Sequence, residues 1–137
     1  MIKFFLPMIP PTITQQEHKV TVRNGKPVFY DPPELKAARQ LLMDAVGRFA
    51  PELPIRGPVR LLTKWIWPME KLPMMQLIPE DFHQWKTSKP DTDNVIKLLK
   101  DCMTRTGFWK DDAQVCSEIT EKFLGVTPGI FIQVEEL

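Results

Sequence analysis

The chain has 137 residues, 43% of them hydrophobic, enough to fill the core of one ordinary domain. A formal net charge of +1 argues against an acidic tail and confines any basic surface to a local patch. The two cysteines, Cys102 and Cys116, lack metal or redox spacing and have no histidine close by in sequence, which points to a soluble, reducing, cytoplasmic setting.

Prolines mark off the periodic segments, clustering near residues 7–11, 27–33, 51–58 and 68–79 and again at Pro90. The start, "MIKFFLPMIPP", is broken by Pro7, Pro10 and Pro11 before a signal-like apolar run forms, and no stretch approaches the roughly 20 apolar residues of a membrane span. Residues 2–6 read as a short strand. A proline-rich loop follows, then a hairpin around Asn24-Gly25 with "HKVTVR" and "KPVFY" as its arms. "DPPELKAARQLLMDAVGRFA" carries helix start signals: Asp31 as N-cap, Pro32 at the first helical position and Glu34 in a capping box. Leu35, Ala38, Leu42, Val46 and Phe49 recur at helical spacing and predict a stripe packed on a sheet.

Residues 58–67 alternate as a strand, with Leu61, Thr63, Trp65 and Trp67 on one face and Leu62, Lys64 and Ile66 on the other. From Pro68 to Lys89 no period holds, and a loop of that length suggests function or mobility. A second helix is predicted at about 91–105, ended near Gly107. Strands at about 112–123 and 129–135, with a turn at Val126–Gly129, complete the order. The expected architecture is α+β, a single domain over 1–137, with a mixed sheet of about four strands and two main helices packed on one face.

The second helix opens "KPDTDNVIKLLKD" (89–101). At about 100° per residue, Val95, Ile96, Leu98, Leu99, Cys102 and Met103 share one arc, and Asp93, Lys97, Lys100 and Asp101 the opposite one. Asp93 and Lys97 therefore look outward, one turn apart, with Asp91 at or just before the start. Two neighbouring carboxylates repel unless a cation lies between them. Mg²⁺ takes such oxygens, typically one or two carboxylates with water and phosphate. A second acidic pair, Asp111-Asp112 in "FWKDDAQV", stands at the mouth of a strand, where alternation lets at most one of the two join directly. Helix, turn and returning strand would bring that one beside Asp91 and Asp93.

Each feature also has an ordinary structural explanation. Acids suit helix N-termini and cap them. Asp93 and Lys97 make an i,i+4 pair worth a few tenths of a kcal/mol, and Asp111-Asp112 suits a turn. An EF-hand is excluded, because Ile96 and Cys102 occupy its glycine and glutamate positions. His18 and His83 are isolated and read as surface residues. The residues alone leave an acidic metal site with a lysine beside it and a well-started helix both open.

Taken together, "KPDTDNVIKLLKD" followed by "GFWKDDAQV" resembles the signature of the RusA family of Holliday junction resolvases of bacteria and phages. That signature is a D-x-D-N-x-x-K helix start, then an aromatic just ahead of D-D-x-Q-V. The likeness is strongest over Lys89–Val115 and extends to the N-terminal strand and its loop "PMIPPTIT"; about 17–30 and 68–88 show no match. The resemblance implies a homodimeric, Mg²⁺-dependent endodeoxyribonuclease, with Mn²⁺ as a substitute ion. Its substrate would be branched DNA, cut at four-way junctions in recombination and repair. It further implies that Asp91, Asp93 and Asp112 hold the metal, that Lys97 is the essential lysine, and that Asp111 is a further participant. A metal there would polarise the scissile phosphate and lower the pKa of a bound water, while Lys97 would orient that water or offset developing charge.

Around the acidic cluster, Lys86, Lys89, Lys100 and Lys110, with Arg105, suit phosphate contacts. Trp85 is placed to stack on an unpaired base, whereas Trp109 reads as core. The N-terminal strand and the segment bearing Trp65 and Trp67 are the candidate dimer surfaces. Two other functions fit the same residues: a catalytically silent branched-DNA-binding protein, and a small metal-dependent nucleotide hydrolase.

Overall fold

The structure, a computed structural model, describes residues 1–13, 19–69 and 78–137. Its elements in chain order are β1 (Ile2–Leu6), β2 (Lys19–Arg23), β3 (Lys26–Tyr30), α1 (Pro33–Gly47), β4 (Val59–Pro68), β5 (His83–Trp85), α2 (Thr92–Arg105), a 3₁₀ turn (Asp112–Gln114), β6 (Val115–Gly125) and β7 (Gly129–Glu136).

Alternation along β4 sets the layers. Leu61, Thr63, Trp65 and Trp67 are buried; the Trp65 indole N–H donates to Thr63 Oγ1 at 2.9 Å, whereas the Trp67 indole N–H has no hydrogen-bond partner among the described residues. They join Phe4 and Leu6 of β1 and Ile130, Ile132 and Val134 of β7. Leu35, Leu42 and Val46 of α1 and the whole predicted arc of α2 cover that same face, forming one core. Lys64 on the opposite face is exposed. Both helices thus lie on one side of a mixed sheet of order β1-β7-β4-β6-β5, in which β4 and β6 are parallel.

The sheet has five strands rather than about four. The extra one, β5, lies in the segment expected to be loop; among the described residues it pairs only with residues 123–125 of β6, and it is too short for a period to show. The predicted hairpin forms as a separate two-stranded sheet, β2-β3, closed by Asn24 (φ 52) and Gly25 (φ 75); two positive φ values suit the right-handed twist of a tight hairpin. Its leading residue, His18, and the 70–77 part of the long loop lie outside the described residues.

Helix α1 starts one residue later than expected, with Pro32 as N-cap and Pro33 at the first helical position. Either proline satisfies the fixed φ of that position, so the register is set elsewhere. Asp31 is drawn away by Arg39, whose Nη1 donates to its Oδ2 at 2.9 Å. Trp65 and Trp67, 0% and 4% exposed, are core residues, so these two side chains offer no dimer surface. Asp112–Gln114, expected as strand, is a 3₁₀ turn that delays β6 to Val115. Among the described residues no helix is long and apolar enough to cross a membrane.

Candidate metal and nucleic-acid site

Three contacts fix the direction of α2. At its start, Lys122 Nζ of β6 donates to the carbonyls of Ser88 and Pro90, both at 2.8 Å. Further along, Lys100 pairs with Glu118 at 2.9 Å. Beyond its end, Phe108 O accepts from Ile55 N–H at 2.8 Å, while Ile55 O accepts from Gln114, next to the start of β6, also at 2.8 Å. Helix and strand therefore run antiparallel. Asp91 and Asp93 stand at one end of α2, and Asp112 at the other. Fourteen helical residues span about 21 Å. Within one chain Asp91, Asp93 and Lys97 are grouped and Asp112 is not. Among the described residues no cluster of three or more His, Cys, Asp or Glu side chains gathers to hold a metal. A strand returning from a helix begins beside the helix's last turn, not its first, which is why Asp112 does not come beside Asp91 and Asp93 within one chain.

At the first turn, Asp91 occupies the N-cap position and its carbonyl accepts from the N–H groups of Asn94 and Val95 at 3.2 Å, yet its side chain makes no capping bond. Asp93 and Lys97 are exposed, and among the described residues they form no ion pair with each other or with a neighbour. The ordinary structural explanations for this stretch, a side-chain cap and an i,i+4 pair, are thus both unused.

The opposite end is built differently. Asp111 Oδ1 accepts from Ala113 N–H at 2.8 Å, and Gln114 Oε1 accepts from the N–H groups of Lys110 and Asp111 at 3.0 and 3.2 Å. Gln114 Nε2 also donates to Ile55 O and Gly57 O at 2.8 and 3.1 Å. In D-D-x-Q the first aspartate and the glutamine are a capping box, which leaves the exposed Asp112 carboxylate outside it. Trp109, 1% exposed, donates its indole N–H to Thr104 Oγ1 at 2.8 Å and belongs to the core, as expected. Cys102 is no nucleophile: burial first, and then the Asp101 charge, push its thiol up to about 12.

The expected cationic patch divides as well. Lys86 donates to Ser88 Oγ at 2.7 Å and lies 5.5 Å over the Trp67 ring. Lys100 is held by Glu118, and Arg105 by Asp101 at 3.2 Å. Lys89, Lys97 and Lys110 are exposed with no ion pair among the described residues. Trp85, 65% exposed, packs on Phe123 at 4.6 Å between centroids. Because Lys122 faces α2 and strand neighbours alternate, Phe123 and Trp85 lie on the sheet face away from the helices. A cavity of about 710 Å³ opens beside the loop into α2, with Trp67 and Leu124 as walls and Gln84, Lys86 and Ser88 at its edge.

Sequence reasoning missed Lys122. The signal was there: its register partner is Trp65, an inward-facing position of the central strand, and lysine is seldom found facing a core without a task.

The model of the endodeoxyribonuclease RusA family matches residues 9–135. The chain belongs to the RusA family. It is 29% identical to the YqaN protein of Bacillus subtilis (strain 168) over 129 residues, covering 91% of this chain and 90% of that protein. It is 53% identical to the crossover junction endodeoxyribonuclease rusA of Lactococcus phage r1t over 32 residues, 23% of this chain and 24% of the phage protein. For a RusA-family chain the donor set at the start of α2 fits a hard divalent cation: two uncommitted carboxylates are the usual protein share for Mg²⁺, which keeps water and phosphate as its other ligands.

Proposed function

We propose that this RusA-family protein is a Mg²⁺-dependent, structure-selective endodeoxyribonuclease that hydrolyses phosphodiesters at four-way DNA junctions, serving recombination and repair as a cytoplasmic homodimer. The observation that carries the reading is the start of α2, where Asp91, Asp93 and Lys97 are exposed and, among the described residues, engaged in neither side-chain cap nor ion pair. When bound, the ion supplies positive charge at the scissile phosphate and a water of lowered pKa. Asp91 and Asp93 hold it there. Lys97, one turn from Asp93, presents an ammonium that orients the attacking water or offsets charge on the phosphoryl oxygens. The open setting of these groups suits a polyanion lying across the helix rather than a nucleotide in a closed pocket.

A homodimer supplies what one chain lacks. Among the described residues β5 pairs only with residues 123–125 of β6, so Val115–Glu121 have an unpaired edge on that side, and such an edge is a template for another strand. Two copies of β6 related by a two-fold axis pair antiparallel. The start of each then lies beside the Lys122 end of the other, and the partner subunit's Asp112 approaches Asp91 and Asp93 as a third carboxylate. Pairing through β1, at the far edge of the sheet, would keep them apart. Two symmetric sites match two symmetric strands of a four-way junction.

The test is a synthetic mobile junction incubated with Mg²⁺ or EDTA, beside Asp93→Asn. Symmetric nicks that need Mg²⁺ and vanish in the variant are expected. Tight junction binding without cleavage under Mg²⁺ or Mn²⁺ would overturn the nuclease reading in favour of a silent binder. Preference for flaps or plain duplex would overturn the substrate.

A further inference from the structure

We infer that Lys122 is a positioning residue for the metal-binding carboxylates, holding from outside the helix the backbone that delivers Asp91. The inference rests on the metal role proposed for Asp91 and Asp93. An N-cap aspartate ordinarily fixes the approach to its helix with its own side chain, accepting from an N–H of the first turn. Asp91 does not. The approach is fixed instead by the Lys122 ammonium, which donates to Ser88 O and Pro90 O at 2.8 Å each; charge-assisted bonds of this kind are stronger than neutral ones. Pro90 O belongs to the peptide that joins directly to Asp91.

The surrounding bonds serve the same loop. Lys122 O accepts from Lys86 N–H at 3.0 Å, and Lys86 Nζ donates to Ser88 Oγ at 2.7 Å. Lys122 of β6 and Lys86, just past the end of β5, therefore both hold Ser88, one by its main chain and one by its side chain. Lys122 reaches the loop from an inward-facing strand position, and among the described residues its charge has no carboxylate partner. With the backbone anchored in this way, the Asp91 carboxylate is left uncommitted for an ion. Ligand geometry of this kind has to be kept within about 0.5 Å to be effective.

The experiment compares the full chain with Lys122→Met, Lys122→Gln and Lys122→Arg in three measurements. Hydrogen exchange is followed in peptides covering 86–95 and, as an internal control, 129–136. Mn²⁺ binding is titrated by electron paramagnetic resonance without DNA. Junction nicking is resolved into kcat and KM, with junction binding measured in EDTA. In the Met and Gln variants exchange should rise in 86–95 alone, Mn²⁺ affinity should fall by about 10- to 100-fold, and kcat should fall with KM and EDTA binding unchanged. The Arg variant, with several donors on a cation, should recover part of the loss. Unaltered exchange in 86–95, or unaltered Mn²⁺ affinity, in a folded Gln variant would overturn the inference. So would a change confined to KM, which would make Lys122 a DNA contact. Exchange and Mn²⁺ binding do not depend on cleavage. If the unaltered chain binds Mn²⁺ and never nicks, the nuclease reading falls while the positioning role is still decided.

Discussion

The two ends of α2 carry the same side chains for opposite purposes. At the far end Asp111 and Gln114 close a capping box and tie the 3₁₀ turn to Ile55 and Gly57. At the near end Asp91 sits in the capping position without capping, and Lys122 bonds the chain in its place. One aspartate is used up by local structure; the other is freed from it by a residue on a different element. Acidic residues at turns and helix starts thus divide by hydrogen-bonding state, and that division separates candidate ligands from scaffold more sharply than residue type does.

Substitutions at both ends can break this contrast. Asp91→Asn, Asp93→Asn and Asp112→Asn should each lower junction nicking about 1000-fold, losing several kcal/mol of charge stabilisation, with melting temperature unchanged. Activity surviving in Asp112→Asn would remove the far end from the site. Lys97→Met should lower kcat by about 100-fold, as loss of a preorganised cationic group does, with junction affinity in EDTA nearly intact. Asp111→Ala should do the reverse. It loses a cap worth about 1 kcal/mol, seen as a melting temperature lower by about 4 °C, while cleavage at 25 °C changes little. The smallest effects belong to the cations. Lys89→Ala and Lys110→Ala should each reduce the slope of log affinity against log salt by about 1, and Lys100→Ala by less, since Glu118 already holds it.

Much of this was legible in the sequence wherever a long unbroken period existed. The arc from Val95 to Met103 and the alternation from Leu61 to Trp67 each had enough repeats to assign a face, and those faces met to form the core. The outward placement of Asp93 and Lys97, one turn apart, followed from the same helical arithmetic, with Asp91 just ahead of them; their roles came from the resemblance to the RusA family. Asp112 was recognised as a residue of interest, but its distance from Asp93 was not, because spacing along a chain carries no direction until helix and strand are packed. Lys86 and Lys122 show the same limit. The first was expected to meet DNA, and its contacts with Ser88 and the Trp67 ring were not foreseen. The second was overlooked, because its contact with Pro90 crosses 32 residues. β5 escaped notice because three residues hold no period, and Asp31 was assigned the N-cap that Pro32 occupies because two consecutive prolines fit the helix start equally well.

Subunit mixing tests most directly whether the two ends of α2 form one site across two copies. Asp93→Asn and Asp112→Asn chains, each inactive alone, are co-expressed with different tags, and the mixed dimer is isolated and given a four-way junction with Mg²⁺. A shared site places both substitutions in one of the two centres and leaves the other intact. The mixed dimer should then nick one strand at about half the wild-type rate, since one of two symmetric centres survives. A mixed dimer as inactive as its parents, beside a wild-type dimer that cuts, would mean that each chain completes its own site and would contradict the shared arrangement.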